Sequence, residues 1–399
     1  MSAHTTIIIG GGVIGLSTAY HLARRRHGRI TVLEKGVLGE GSSSRAAGIT
    51  TGLLWSETGI RARKIGIRLF RELARELDGY SYHDERGCLN LFSPELWPAR
   101  EKLLPLYDRL GAPYEILASP EIRGRWPELN PPDGFLGLHD PSGGYSEPEE
   151  YLKALARRLR ALGVDIREHQ KVTGLIVERE RLVGVQTADE DLKADAVVST
   201  VHAWTLPFLK PLGVRFPVKH FVHQRYLSAP FREPLAFPPL NADPYGGYLR
   251  TAFGNRILLG VETPDREEWK VTSTGFHMSE LSAPSALCDE AVKRFRPFCP
   301  ALAGATWESA HVSLISFSSD GEPILGPVAE VPGLFVGLAF HSGGFSYNTV
   351  AGMLLAEFVA QGKTALDVSA FSPNRFGRDL VSAHLATTVE QTQAVRRRH

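Results

Sequence analysis

The chain has 399 residues, with 45 Lys+Arg against 44 Asp+Glu and a formal charge of +1, so no global field draws it to nucleic acid or to an anionic membrane surface. With 43% hydrophobic and 22% charged residues it reads as an ordinary folded protein, which excludes a disordered, collagenous or coiled-coil chain. About 150 residues per domain predicts two to three domains. The three cysteines, Cys88, Cys288 and Cys299, lack CxxC spacing. That excludes a disulfide framework or a cysteine zinc site and fits a reduced, cytoplasmic setting. The first apolar run, residues 5–9, is too short for a signal peptide, and no stretch is long enough to span a membrane.

In chain order, "TIII" predicts a strand at 6–9, Gly10-Gly11-Gly12 a tight turn, residues 13 to about 26 a helix, and "RITVLE" a second strand. Together these make a βαβ unit. Apolar residues at helical spacing predict helices over about 57–77 and 94–110. Glu147-Pro148-Glu149-Glu150 opens another that runs to Leu162 and stops at Gly163, with acidic residues in its first turn and Arg157, Arg158 and Arg160 towards its end. Short β-branched runs over 164–200 read as a meander that returns to a buried strand.

Residues 217–227 and 245–262 read as longer strands, the second folded at Gly254-Asn255, followed by a helix near 284–295 and a strand near 310–317. "GLFVGLAF" and then "NTVAGMLLAEFVAQG" give strand, turn and helix again, so a nucleotide-binding domain is expected from separated pieces. After Phe376 the polar tail, residues 377–399, is expected to be frayed.

Gly10-Gly11-Gly12-Val13-Ile14-Gly15 satisfies GxGxxG between a strand and a helix, and Glu34 ends the next strand 19 residues beyond Gly15. Gly10 permits the tight turn, Gly12 lets a pyrophosphate approach the positive helix end, and Gly15 lets helix and strand pack closely. Glu34 is placed to accept from the adenosine ribose hydroxyls. With strands, helix and acidic end all present, dinucleotide binding is favoured over a structural glycine turn. The next segment, "GEGSSSRAAG", is a small-residue loop containing Arg45 that suits an extended cofactor; the alternative is a flexible surface loop.

At this point the sequence resembles the FAD-dependent amino-acid and amine oxidoreductases of the D-amino-acid oxidase type, a family that includes glycine oxidase, monomeric sarcosine oxidase and D-amino-acid dehydrogenases. The resemblance runs over about residues 5–376 and rests on the N-terminal fingerprint, "GSSSRAAG", "GGYSEPEEYLKAL", "ADAVVSTVHAW" and "SSDGEPILGPVAEVPGLFVGLAFHSGGFSYNTVAGMLLAEFVAQG". It implies an α/β fold: a Rossmann-like FAD domain assembled from both chain ends (1–80 with 145–210 and 318–376) and a mostly antiparallel β-sheet substrate domain (81–144 with 211–317). It implies FAD contacts from Gly10, Gly12, Val13, Ile14, Gly15, Glu34, Lys35, Ser43, Ser44, Arg45, Ala46, Val172, His202, Trp204, Gly343, Gly344, Phe345 and Ser346. A helix starting near Asn348 would aim its dipole and the 343–346 amides at the flavin pyrimidine ring.

Several positions depart from the family's pattern. The arginine that clamps a substrate carboxylate in glycine oxidase-like members is matched by Ile315. The lysine that follows the G-H-G-F turn of monomeric sarcosine oxidase is matched by Ser346. Its flavin-tethering cysteine is matched by Ser313, so FAD is expected to be non-covalent.

His202 and His341 replace small residues, and either could touch flavin or substrate or be purely structural. His220 and His223, three apart in a strand, point to opposite faces and make no shared metal site; no metal is expected. Tyr248 and Arg250 share a face of the strand that opens the 245–262 hairpin, which the resemblance implies roofs the pocket, and Arg250 is the candidate replacement clamp because its fork binds both carboxylate oxygens; the alternative is a surface arginine on an edge strand. Glu262 could hold a cationic group or be an exposed strand end.

Tyr248, Arg250 and His341 are thus the candidate catalytic residues, and the expected substrate is a small amine or amino acid. The expected activity is oxidation of that amine by hydride transfer to flavin N5, with the imine then hydrolysed. The alternatives are a 2-hydroxy-acid dehydrogenase and a flavoprotein that binds FAD without turnover. Leu258, at the place of an oxygen-activating lysine of sarcosine oxidase, favours a dehydrogenase over an oxidase.

Overall fold

The computed structural model describes residues 4–261, 268–282, 284–390 and 393. Six strands form one sheet in the order Ile324–Pro327, Leu334–Leu338, Ala196–Ser199, Thr5–Ile9, Arg29–Leu33, Asp165–Arg167. All neighbours are parallel except the pair Ile324–Pro327 and Leu334–Leu338. The central strand is a continuous apolar run, Ile7-Ile8-Ile9, buried on both faces as an interior parallel strand requires. The helices Val13–Arg24 and Gly344–Gln361 share one core with the sheet. They approach so closely that a Cβ on Gly352 would lie 2.4 Å from Ser17 Oγ. A separate core on the sheet joins Ile7 and Ile9 to Val172, Leu182 and Val185 of the meander and to Phe208 and Leu209.

A second, eight-stranded sheet takes its strands from 88–140 and 218–318, in the order Trp307–Ser318, Val218–Ser228, Arg256–Val261, Gly247–Ala252, Leu240–Ala242, Cys88–Phe92, Leu136–Asp140, Glu115–Ala118. Its pairs are antiparallel apart from Leu240–Ala242 with Cys88–Phe92. The hairpin folds at Gly254-Asn255, and its register sets Tyr248 opposite Gly260 and Arg250 opposite Leu258.

Two expectations need correction. The single helix over 94–110 is two short ones, Trp97–Glu101 and Leu104–Leu110. Pro105 has no N–H to give to the carbonyl of residue 101, so the ladder breaks there. The tail after Phe376 is docked through residue 390. Arg378–Ala386 is a helix, the Thr387 carbonyl accepts from the buried Lys219 ammonium, and Val389 packs on Phe221, Ile315 and Phe317. The anchors lie on distant strands, so the polar composition of the tail did not reveal them.

Candidate active site

The parallel sheet delivers its C-terminal strand ends to a cavity that continues beneath the eight-stranded sheet. At one end Gly10 has φ +104°, a conformation L side chains rarely adopt. A Cβ on Gly15 would lie 2.1 Å from the Gly10 carbonyl oxygen, so Gly15 packs the turn and does not line the cavity. Gly12 caps the first helix in an extended conformation, and a Cβ there would meet only Ser43 Oγ, at 3.0 Å. This is an open cradle at a helix N-terminus, the geometry that accepts a pyrophosphate. The Val13 amide donates to Ser43 Oγ (3.0 Å), and Glu34 accepts from the Gly11 and Gly36 amides (2.8 and 2.9 Å), which ties the turn to the end of the second strand.

Lys35 sits 4.0 Å over the Trp204 ring and donates to the Phe276 carbonyl at 2.9 Å. This contact draws the segment carrying Thr274, His277 and Met278 over the same end of the cavity, which Val172 also lines. The small-residue loop is held from beneath: Arg225 donates to the Ala46 and Ser44 carbonyls (3.0 and 2.8 Å), and Ser42 Oγ donates to the Leu314 carbonyl (2.9 Å). Ser43, Arg45 and Ala46 line the cavity. Ser44 is a correction, since it does not; its carbonyl is turned to Arg225 instead.

Gly343, Gly344, Phe345 and Ser346 open the closing helix at the far end, so its N-terminal dipole points into the cavity. The helix begins at Gly344, four residues before the position expected near Asn348. Ser346 Oγ donates to the Ile49 carbonyl. His202 and His341 have φ of 47° and 57°, a left-handed backbone better suited to glycine. Both line the cavity, yet each ring is also held structurally. His202 Nε2 donates to the Leu314 carbonyl at 2.9 Å, and burial pulls its pKa below the usual histidine value, so the ring is neutral. His341 Nε2 lies 3.2 Å from Ser318 Oγ, and its ring stands edge-on to Phe317.

Beneath the roof, Tyr248 and His223 form one unit, with the hydroxyl 2.8 Å from His223 Nε2 and the rings stacked at 5.4 Å. A Cβ on Gly260 would lie 1.9 Å from Tyr248 Cζ, so Gly260 leaves the space in which the tyrosine lies. Asn241, bonded to Asn90 at 2.9 Å, extends the polar surface, and Ser313 and Ile315 complete the wall. His220 faces away, its Nδ1 2.7 Å from Ser316 Oγ and its pKa lowered to about 3 by burial.

Arg250 is a correction. Its side chain has no exposure and is outside the cavity. Its fork grips Glu147 with two bonds of 2.7 and 2.8 Å, and its Nε donates to the Ala47 carbonyl at 2.6 Å. A guanidinium so paired has no free edge for a substrate. Leu258 likewise packs with Tyr248 and Ala252 and does not reach the cavity. Glu262 lies outside the described residues.

Several cavity residues were not picked out from the sequence, among them Thr51, Arg63, Lys171, Asn241 and Met278. For Arg63 a signal existed: Ile60, Arg63, Ile67 and Phe70 form one buried stripe of the helix Glu57–Glu76, and an arginine interrupting an apolar stripe asks for a reason. Among the described residues no group of three or more His, Cys, Asp or Glu could hold a metal, and no helix is long and apolar enough to cross a membrane.

A βαβ dinucleotide cradle, a second loop along the cofactor and a helix terminus facing a roofed pocket define a flavin-dependent oxidoreductase. Residues 5–358 match the FAD dependent oxidoreductase (DAO) family, and the chain belongs to it. It is 30% identical to 4-methylaminobutanoate oxidase (formaldehyde-forming) of Paenarthrobacter nicotinovorans, a match that covers 93% of this chain and 45% of that protein. Human mitochondrial dimethylglycine dehydrogenase is 26% identical over 98% of this chain and again 45% of its own length. The chain thus spans under half the length of these relatives. Sarcosine oxidase subunit beta of Arthrobacter sp is 27% identical over 97% of this chain and 95% of that subunit. Among solved structures, L-proline dehydrogenase from P. horikoshii superposes with a TM-score of 0.85, covering 95% of this chain and 99% of that one at 24% identity. That likeness bears on the fold.

Proposed function

We propose that this protein oxidises the primary or secondary amine of a small amino acid, of the sarcosine, glycine, proline or D-amino-acid type, with non-covalent FAD as the immediate acceptor. One observation carries the reading: the cavity joins the Gly12 cradle, without interruption, to a pocket closed by the Tyr248–His223 pair and the Gly343 turn. When bound, FAD supplies the two-electron acceptor for the substrate's C–H bond. Gly10, Gly12, Val13, Ile14 and Ser43 would hold its pyrophosphate, Glu34 and Lys35 its adenosine half, and residues 343–346 its pyrimidine edge.

Around the substrate, the chain's own part is to orient and to exclude water. The Tyr248 hydroxyl, fixed by His223, offers a polar contact, Asn241 a second, and Ile315 an apolar wall. No general base is required if the amine arrives neutral. His341 stands at the turn beside the pocket, where it could contact the substrate or the ring. The test is product analysis with an artificial dye as terminal acceptor. Amine oxidation yields one imine for each two electrons delivered; water splits it into an oxo product and an amine (formaldehyde and the demethylated amino acid where an N-methyl carbon is oxidised), or opens it to an amino-carbonyl product where the amine is cyclic. Oxo product formed only from 2-hydroxy acids would replace the reading.

A further inference from the structure

Arg63 is 4% exposed and makes no ion pair among the described residues. Its helix starts at the Ser56 cap, whose Oγ accepts from the Gly59 amide at 3.0 Å, and carries the arginine two turns in, under the pocket. Nη1 donates to the Thr51 carbonyl at 3.2 Å, the guanidinium lies 4.2 Å over the Tyr347 ring, and buried Nε has no partner. A Cβ on Gly343 would lie 2.2 Å from Nη2, so the fork reaches the flavin-facing turn itself. Arg63 lines the cavity with Thr51, Ile315 and Ser346.

A buried guanidinium without an anion is costly, because its neutral contacts, with the Thr51 carbonyl and with Tyr347, do not replace its hydration. Oxidised isoalloxazine is neutral and leaves that cost in place, whereas a carboxylate removes it and matches the fork. Ile315 and Ser346, which face the same cavity as Arg63, are neutral and offer a carboxylate no charge.

We propose that Arg63, from the helix beneath the pocket, is the residue that binds the substrate's carboxylate, which restricts the substrates to amines bearing an acid group. This rests on the amine-oxidation reading above and narrows it. The guanidinium edge facing the cavity would hold the acid while the Thr51 carbonyl and the Tyr347 face keep the group from turning away.

The test uses FAD-loaded enzyme and a non-oxidisable pair, pyrrole-2-carboxylate and its amide, titrated by their perturbation of the flavin absorbance. The readout therefore does not depend on turnover. The wild type should bind the acid roughly 100-fold more tightly than the amide, as expected for a desolvated charge pair. Arg63→Met should bring the ratio close to one, and Arg63→Lys should restore part of it, with FAD content and visible spectrum unchanged in both. A wild-type ratio near one overturns the proposal without reference to any variant. So does an unchanged ratio in Arg63→Met, or loss of FAD from folded Arg63→Met and Arg63→Lys, which would assign the residue to the cofactor. Acid binding through Arg63 in an enzyme that oxidises only hydroxy acids would refute the amine reading and leave the clamp standing.

Discussion

Arg250 and Glu147 form a two-bond ion pair, 2.7 and 2.8 Å, that joins the roof hairpin to the entry of the helix Pro148–Ala161. Glu147 also accepts from the Phe253 amide at 3.0 Å, so the same carboxylate holds the hairpin beside its tip. The pair is structural, and it fixes where the roof lies over the cavity.

Arg250→Ala should therefore act on stability first. Removing one partner of a buried pair costs about 3–5 kcal/mol, which thermal or urea unfolding of the FAD-loaded protein will show. Retention of wild-type stability would contradict the assignment. The pH dependence follows from Glu147. Burial pushes its carboxyl up, but the charge and hydrogen bonds of Arg250 outweigh that and leave it below the usual value of 4.5. The contribution is then complete above about pH 4.5 and is lost as pH falls through the lower native value. In Arg250→Met that acid-side loss should shrink, and an unchanged profile would place the titration elsewhere.

The cofactor frame was legible because its demands fall on local sequence: the Gly10–Gly15 turn, Glu34 at a strand end and the Gly343-Gly344 turn each sit within a few residues. The pocket was not. Two-residue alternation correctly put Tyr248 and Arg250 on one face, but a partner 103 residues away decided that one lines the cavity and the other is consumed by an ion pair. Arg63 did leave a local signal, an arginine within an apolar helical stripe, but the stripe shows only that the residue is buried and not that a cavity lies against it. The tail was misread because Lys219, its anchor, belongs to a strand far back in the chain.

Gly12→Val should abolish FAD retention while the chain stays folded. Its branched side chain would fill the open cradle at the first helix's N-terminus. Flavin absorbance after gel filtration, with circular dichroism as the folding control, checks this. Full FAD content in a folded variant would move the pyrophosphate elsewhere.

Flavin should leave the wild-type protein on mild acid or heat treatment, because the residues that line the cavity, Ser313 among them, include no cysteine to offer a thiol. Yellow colour that stays with the precipitated chain would show attachment at another residue.

Gly260→Ala should harm catalysis more than Tyr248→Phe. The added methyl would drive into the tyrosine ring, with 1.9 Å to Cζ, and displace the whole Tyr248–His223 unit. The phenylalanine variant loses one hydroxyl, on the order of 1 kcal/mol or about fivefold. Steady-state kcat/KM for both variants decides, and a larger loss in Tyr248→Phe would mean the hydroxyl takes part in the chemistry.

Amine oxidation at this flavin is tested most directly by anaerobic mixing of FAD-loaded enzyme with matched pairs, each a small amino acid and the 2-hydroxy acid of the same skeleton, while flavin absorbance is followed in the stopped flow. At least one amino acid should bleach the flavin in a single turnover, faster as pH rises and the amine becomes neutral, with its hydroxy acid inert. Bleaching by hydroxy acids alone, or by no member of the panel, would contradict the account.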